Sequence, residues 1–250
     1  ISCPYHEWSY DLRGNLVRMP FVSATPDFKK EDHGLFRVQL KQWNGFVFVC
    51  LADDAPDFDQ APDMGPNALA NWPMADLVTG HTWVTEIACN WKIFWENYNE
   101  CLHCPVIHPE LSARMPYLSG ANDLTEGPFL GGFMVITEPA VSVTMTGHAC
   151  GLPIADLSAE DRRRAYYYSF QPNMLLSIQP DYVNYYTLWP VSPTETRVES
   201  EWMFHPESFG SPGFNPQDAI EFWDVTNRQD WRITEESQAG IRSRRYEPGP

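Results

Sequence analysis

The fold is decided by residues 90–109, whose sequence is NWKIFWENYNECLHCPVIHP. Asn90 favours a helix N-terminus, and the aromatic-rich body that follows predicts a helix over 90–104. Proline lacks a backbone N–H, so Pro105 predicts the end of this helix. The stretch therefore predicts a helix of about four turns, with its chemistry-bearing residues gathered at the carboxyl end.

Those residues are an acid and two histidines, Glu100, His103 and His108. Glu100 and His103 are three positions apart and would share one helix face. His108 would be rotated away on an unbroken helix, so the break at Pro105 is needed to bring its imidazole round. Two histidines and one carboxylate around Fe(II) leave open positions for O2 and substrate. A capping or core role is the ordinary alternative for a single histidine, but the whole string favours a metal site.

Two cysteines in the same string, Cys101 and Cys104, leave a second interpretation open. Together with His103 and His108 they could form a Cys/His zinc site, because thiolates favour zinc. A metal assay would separate the two interpretations.

A further ligand is predicted on a long helix over 215–240, where Asn and Pro favour the start. Helical projection places Asp230 near the middle of one face. A carboxylate on a buried face is costly unless it is paired or bound to metal. Asp230 is therefore the candidate third ligand, and an ion pair with Arg114 or Arg197 is the alternative. The face comprises Ala219, Phe222, Trp223, Thr226, Asp230, Ile233, Ser237 and Ile241.

A β-hairpin is predicted over 34–51, with strands at 35–40 and 46–51 joined by a tight primed turn at Asn44-Gly45. Residues 52–66 are rich in Asp and Pro and predict a linker. Residues 1–51 would then be the end of a small all-β domain, and 67–250 a second domain.

Several strand patterns follow in the second part of the chain, separated by turns that contain proline. Their close succession predicts an antiparallel meander, which together with the long helix makes an α+β fold. The predicted strands are 132–146, 165–171, 174–179, 182–189 and 196–204.

The chain opens on a Cys-x-x-His motif, Cys3-Pro4-Tyr5-His6. Alone the motif is weak, since half a zinc site or a chance pair would explain it. A Rieske cluster needs two cysteines on one iron and two histidines on the other, so Cys3 and His6 could be half of such a set.

Taken together, these motifs resemble the α subunit of Rieske-type non-haem iron oxygenases over essentially the entire chain. Residues 222–249 and 181–190 resemble its subgroup that acts on quaternary ammonium compounds such as glycine betaine and carnitine. The resemblance implies the C-terminal part of a Rieske [2Fe-2S] domain followed by a helix-grip catalytic domain, in a chain truncated on its N-terminal side.

The resemblance also implies roles for the residues. Cys3 and His6 would bind the [2Fe-2S] cluster with an upstream Cys and His, and His103, His108 and Asp230 would bind mononuclear Fe(II). Glu100, where many members have Asp, would bridge electrons from the cluster of a neighbouring subunit. Asn97 is a further candidate catalytic residue.

The implied reaction is O2-dependent hydroxylation of an N-methyl group, with electrons from NAD(P)H through a flavin/iron–sulfur reductase and a homotrimer as the assembly. Glycine betaine, giving dimethylglycine and formaldehyde, is the first candidate substrate. Carnitine, choline, stachydrine or an aromatic ring are the alternatives. A helix-grip ligand-binding module without metal is the non-enzyme alternative.

Composition sets the remaining limits. The formal net charge of −16 disfavours binding to nucleic acid and to anionic membrane surfaces. No run approaches the roughly 18 apolar residues of a membrane span, and no signal peptide is visible. Six irregularly spaced cysteines do not form a secreted disulfide pattern. We therefore expect reduced thiols and a cytoplasmic protein.

Overall fold

The computed structural model describes residues 1–21, 23, 25–55, 69, 72–127 and 129–249. The chain divides into two compact units, Ile1–Phe58 and Asp59–Pro250. Residues 56–66 of the predicted linker at 52–66 lie outside the described residues, so the boundaries of the linker stay a prediction. Within the described ranges, no helix is long and apolar enough to cross a membrane.

The first unit contains two small antiparallel ladders. One joins β1 (Ser9–Tyr10) to β2 (Leu16–Arg18), and the other joins β3 (Gln39–Trp43) to β4 (Phe46–Cys50). The predicted hairpin is confirmed, and its turn has positive φ at both Asn44 and Gly45, as a primed turn requires.

The first hairpin strand begins later than the predicted 35–40. The turn fixes the pairing so that Gln39 faces Cys50. Residues before Gln39 would need partners beyond Cys50, where β4 ends. Asp53 and Asp54 follow in a turn. Aspartate is a poor strand former, so the ladder stops there.

Seven strands form one antiparallel sheet in the second unit. The meander predicted for the last four strands is confirmed, and the two outermost strands were not predicted. In spatial order the strands are β5 (Val78–Ile87), β11 (Glu195–Phe204), β10 (Tyr182–Ser192), β9 (Met174–Ile178), β8 (Arg164–Phe170), β7 (Phe129–Val135) and β6 (Ala121–Leu124).

The strand predicted at 132–146 is wrong beyond Val135, where β7 ends. Proline cannot donate to a ladder, and Pro139 follows the end of the strand. The apolar alternation after it belongs to a loop held by side chains: Ser142 donates to Asp181, and the backbone N–H of Thr146 donates to Asp218 over 3.1 Å.

Four α-helices lie in the described part of this unit. They are α1 (Trp91–Tyr98), α2 (Cys104–Ile107), α3 (Pro109–Arg114) and α4 (Pro216–Ile241). The single helix predicted over 90–104 is wrong in its second half, because α1 ends at Tyr98. Pro105 lies in the first turn of α2 and so starts a helix, a position where its missing N–H costs nothing.

The long helix α4 packs against the sheet and against α1. Trp223 on α4 donates its indole N–H to the Tyr182 hydroxyl over 2.7 Å, which ties the helix to β10. Gln238 accepts from the backbone N–H of Asn90 over 2.8 Å, where α1 begins. The combination of a large antiparallel sheet and a long C-terminal helix confirms the predicted α+β class.

The predicted buried face of α4 is right in its first half only. Ala219, Phe222, Trp223 and Thr226 are buried, whereas Ser237 and Ile241 are exposed. Because α1 covers the C-terminal half of the helix, burial there shifts to Trp231, Thr234 and Gln238.

Candidate metal centre

Two imidazoles and one carboxylate converge between the short helices and α4. His103 precedes α2, His108 lies between α2 and α3, and Asp230 lies in α4. The Nε2 atom of His108 is 2.9 Å from Oδ1 of Asp230, and the Nε2 atom of His103 is 3.3 Å from the same oxygen. The structure therefore brings together the three predicted ligands from positions 103, 108 and 230.

The other nitrogen of each ring faces an oxygen acceptor. Nδ1 of His103 is 2.6 Å from Oε1 of Glu100, and Nδ1 of His108 is 2.7 Å from Oε1 of Gln229. Metal-binding histidines commonly donate their outer N–H in this way, which leaves the inner nitrogen free to bind. Sequence reasoning missed Gln229, because an amide beside an aspartate has no characteristic spacing.

Glu100 reaches His103 by a different route from the one predicted. Residues between α1 and α2 are not helical, so the two side chains do not share a helix face. Instead the Glu100 carboxylate folds back, and its Oε2 accepts from the backbone N–H of Leu102. Its side chain is 43% exposed, whereas the side chain of His103 is only 16% exposed.

The electrostatics of the cluster favour positive charge. Burial alone would lower the pKa of His103, but hydrogen bonds to the carboxylates of Asp230 and Glu100 raise it above its usual value. Burial would raise the pKa of Asp230, yet hydrogen bonds from His103 and His108 hold it below its usual value. The Asp230 carboxylate is therefore ionised, and its negative charge beside the two rings favours a cation at this position.

The geometry fits a divalent metal ion. Bonds of roughly 2.0–2.2 Å to a first-row metal place neighbouring ligand atoms on the order of 3 Å apart, which agrees with the two N–O separations of 2.9 and 3.3 Å. A metal ion can bond all three atoms at once, whereas a proton is shared by two. The donor set of two imidazoles and one carboxylate suits Fe(II) with open positions.

Cys101 and Cys104 form a disulfide, so the expectation of reduced thiols is wrong for this pair. Ligand atoms of His103, Cys104 and His108 do lie within 4.8 Å of one another. A disulfide sulfur is not the thiolate that binds metals, whereas Asp230 contacts both rings with an ionised oxygen. Asp230 therefore stays the candidate for the third position, and in the disulfide form the thiolate zinc interpretation fails.

The sequence also left open an ion pair between Asp230 and either Arg114 or Arg197. Arg114 donates to the backbone oxygens of Thr144 and Met145, and Arg197 pairs with Glu199 at 2.8 Å. The alternative ion pair between Asp230 and either arginine is therefore wrong.

Asn97, near the end of α1, lies next to the cluster. Its side-chain nitrogen is 3.2 Å from Nε2 of His103. It therefore lies beside the inner nitrogen of this ring, and its catalytic role stays a prediction.

The candidate cluster ligands Cys3 and His6 lie in the first unit on a tight backbone turn. The N–H of Cys3 donates to the carbonyl of Trp8, and the N–H of Glu7 donates to the carbonyl of Cys3. The thiol of Cys3 is free and half-buried, and His6 is exposed. Their role as cluster ligands stays a prediction.

A cavity of about 590 Å³ adjoins the three candidate ligands, within the range of small-molecule sites. His103, His108 and Asp230 are among its lining residues. Most of the remaining lining is apolar or aromatic, including Leu111, Tyr117, Phe133, Met134, Tyr167 and Trp223. A second cavity of about 650 Å³ also includes Glu100 and His103 in its lining. The candidate centre therefore borders a space that could hold an organic substrate.

Comparison with known proteins gives a consistent picture. The family model for the ring-hydroxylating alpha subunit (catalytic domain) matches residues 74–250. The glycine betaine monooxygenase oxygenase subunit of Pseudomonas aeruginosa (strain UCBPP-PA14) is 27% identical over 285 residues. That alignment covers 100% of this chain and 65% of the relative, so the chain spans slightly less than two thirds of the relative's length.

A second curated relative and one solved structure are also similar to this chain. The carnitine monooxygenase oxygenase subunit of Escherichia coli (strain K12) is 35% identical over 114 residues, covering 45% of this chain and 30% of the relative. The crystal structure of the quaternary ammonium Rieske monooxygenase CntA in complex with L-carnitine superposes with a TM-score of 0.70 at 22% identity. It covers 98% of this chain and 62% of that one, and at this identity it shows a shared fold.

Proposed function

Because the chain belongs to the family of ring-hydroxylating α subunits, matched over the catalytic domain, we propose that it is the catalytic part of a Rieske oxygenase acting on a quaternary ammonium compound. The observation that carries the proposal is the approach of both inner imidazole nitrogens to one Asp230 oxygen, beside an organic-sized cavity. His103, His108 and Asp230 would hold the iron. When bound there, Fe(II) supplies the activation of O2.

The residues of the chain have separate tasks in this reaction. Glu100 orients His103 by accepting a hydrogen bond from its Nδ1–H, and Asp230 contributes the negative charge that retains a divalent ion. Burial of His108, which is 1% exposed, excludes water from that side of the centre. The cavity would bind the substrate and bring one methyl group close to His103, His108 and Asp230.

The overall reaction consumes O2, two electrons and two protons. One oxygen atom enters a C–H bond of an N-methyl group, and the other leaves as water. The N–CH2OH product then loses its hydroxyl proton as the C–N bond breaks, releasing formaldehyde and the demethylated amine. For glycine betaine the amine is dimethylglycine.

Electrons would come from NAD(P)H through a flavin/iron–sulfur reductase and a Rieske cluster that includes Cys3 and His6. Glu100 would receive them from the cluster of an adjoining subunit in a homotrimer. The exposure of Glu100 and its position in the lining of the second cavity support this role, since an exposed carboxylate can contact a partner.

Glycine betaine is the first candidate substrate, with carnitine, choline and stachydrine as alternatives. A quaternary ammonium has no N–H to donate and is recognised by contact with aromatic ring faces. The cavity offers such rings, and burial raises the pKa of the Tyr167 hydroxyl well above its usual value, so this ring stays neutral.

Hydroxylation of an aromatic ring is the second candidate, and the predominantly apolar lining of the cavity favours it. A metal-free ligand-binding module is the non-enzyme alternative, and it leaves the convergence of His103, His108 and Asp230 without a purpose.

The test uses the full-length protein with an intact Rieske cluster and a cognate reductase. Quaternary amines and a flat aromatic compound would be supplied separately, and formaldehyde and hydroxylated ring products would be measured. We expect formaldehyde from at least one quaternary amine in a one-to-one ratio with its demethylated product. Ring products without formaldehyde would favour the second candidate, and no turnover of any compound by the iron-loaded enzyme would refute both.

A further inference from the structure

Two side chains that are not candidate ligands form a chain of hydrogen bonds that ends at the outer nitrogen of His108. Gln229 Oε1 lies 2.7 Å from Nδ1 of His108, and the Gln229 amide nitrogen lies 3.2 Å from Oε2 of Glu110. His108 is 1% exposed, so it has almost no contact with bulk water. The hydrogen bond with Gln229 therefore favours a proton on Nδ1 of the ring.

The direction of this chain of hydrogen bonds follows from its outer end. An ionised carboxylate can only accept hydrogen bonds, so Glu110 requires the NH2 group of Gln229 to face it. The amide carbonyl then faces His108, and a carbonyl can only accept. Nδ1 of His108 must therefore carry a proton, so Nε2 is the nitrogen that could bind a metal ion.

Nε2 of His108 faces Asp230, whose Oδ1 lies 2.9 Å away, so in the metal-free chain Nε2 can donate a hydrogen bond to this carboxylate. A metal ion would displace that proton and take the lone pair of Nε2. Gln229 and Asp230 are neighbours on α4, while Glu110 follows His108 by two residues at the start of α3. The two helices thus hold both nitrogens of one ring. Glu100 has the equivalent position at His103, but there a carboxylate contacts the ring directly.

We infer that Glu110 and Gln229 are positioning residues that hold the proton of Nδ1 while Nε2 of His108 binds a metal ion, and that they thereby set the affinity of the centre for this ion. The inference rests on the proposed function. A neutral amide in contact with the ring also avoids a third carboxylate beside Glu100 and Asp230.

The test compares four variants on the full chain: Gln229→Ala, Glu110→Gln, Gln229→Glu and the exchange Glu110→Gln/Gln229→Glu. Gln229→Ala removes the acceptor, and Glu110→Gln removes the group that orients the amide. Gln229→Glu alone keeps an acceptor at the ring but places two carboxylates together. The exchange restores the order of donors, because the carboxylate now at position 229 would accept from His108 while the amide now at position 110 donates to that carboxylate.

Two exposed positions on α4 supply matched controls, Gln217→Ala and Glu221→Gln. The first readout is the dissociation constant for Co(II), measured by competition with a chelator. We expect weakening of about 10- to 100-fold for Gln229→Ala, as is usual for loss of a hydrogen-bond partner of a ligand. Glu110→Gln should weaken binding less, the exchange should recover most of the affinity, and the controls should match wild type.

The second readout is the ¹H–¹⁵N NMR spectrum of the histidine rings in the chain loaded with diamagnetic Zn(II). Wild type and the exchange variant should show a slowly exchanging N–H on Nδ1 of His108, and Gln229→Ala should lose this signal. Equal Co(II) affinity of Gln229→Ala and wild type, or an unchanged Nδ1 N–H signal in this variant, would overturn the inference. If wild type bound no metal ion, the proposed function would fall, whereas metal binding of equal strength in all variants would overturn the inference alone.

Discussion

Glu100 combines two contacts that can be separated by substitution. Its Oε1 is 2.6 Å from Nδ1 of His103, and its charge is the feature required of an electron bridge. Glu100→Gln keeps an oxygen that can accept from His103 and removes the charge. We expect both metal sites to remain loaded while product formation falls about 10- to 100-fold.

This prediction is checked by measuring iron content and product per electron supplied in the full-length enzyme. Glu221→Gln, on an exposed surface of α4, is the matched control. Normal product formation by Glu100→Gln would show that the charge is not needed for electron delivery.

The candidate ligands could be predicted from the sequence because their residue types and spacing are unusual together. Glu100, His103 and His108 form a local string, and Asp230 is an acid on a predominantly apolar helix face. Gln229 could not be predicted, because its role depends on which atoms of α3 and α4 meet in space.

At the scale of elements, the ends of helices and strands were harder to predict than their presence. A helix over 90–104 was predicted from composition. In the structure Asn99 is the C-cap, and α1 ends at Tyr98. Pro105 then starts α2. A proline near a helix terminus signals a boundary without stating on which side of it the helix lies.

The meander was predictable because proline-containing turns separate its strands, whereas β5 and β6 were not. β6 is Ala121–Leu124 and includes two poor strand formers, Asn122 and Asp123. β5 lies at the edge of the sheet, where most of its residues stay exposed or half-buried and apolar alternation is weak.

The buried hydroxyl of Tyr182 makes one of the hydrogen bonds between α4 and β10. The Tyr182 hydroxyl accepts from the indole N–H of Trp223 and donates to the carbonyl of Val143. Tyr182→Phe leaves both buried groups without this partner, which should lower the free energy of unfolding by about 1–3 kcal/mol. Urea unfolding measures this loss, with the half-exposed Tyr246→Phe as control. A loss no larger than the control's would contradict the assignment.

A buried acid, Asp181, connects the loop after β7 to the start of β10. Burial raises the pKa of Asp181, and hydrogen bonds from Ser142 and the backbone N–H of Cys150 offset part of this rise. The folded chain therefore holds this proton more tightly than the unfolded chain. Its contribution to stability is complete below the unfolded pKa of about 3.9 and is lost as pH rises through the higher folded pKa.

Asp181→Asn removes this titration while keeping hydrogen-bonding atoms. We expect the unfolding free energy of wild type, relative to the variant, to fall as pH rises from about 4 through the raised pKa of Asp181. Urea unfolding across this range measures the difference, with the fully exposed Asp156→Asn as control. A difference that is independent of pH would contradict the raised pKa.

At the scale of the whole molecule, the two compact units differ in how much they bury. Among the described residues of 1–55, only Leu16 is buried. The described part of the second unit contains at least two hydrophobic clusters, built on the sheet and α4. Burial of apolar surface is the main source of stability. We therefore expect residues 69–250 to fold without the first unit.

Far-UV circular dichroism during thermal unfolding checks this expectation. The fragment should show one cooperative transition with a midpoint close to that of the corresponding transition in the full chain. A gradual, non-cooperative loss of signal would mean that the second unit depends on the first.

The central claim is that His103, His108 and Asp230 bind one metal ion, and Co(II) titration of the metal-free chain tests it most directly. A Cys3→Ser background removes a competing thiol, and Asp224→Ala is the control, because Asp224 pairs with Arg228 on the same helix. We predict one Co(II) per chain with and without Asp224→Ala, and at least about 100-fold weaker binding in Asp230→Ala, since a direct ligand should matter no less than its outer partners. Equal affinity in Asp230→Ala and its parent would contradict the account.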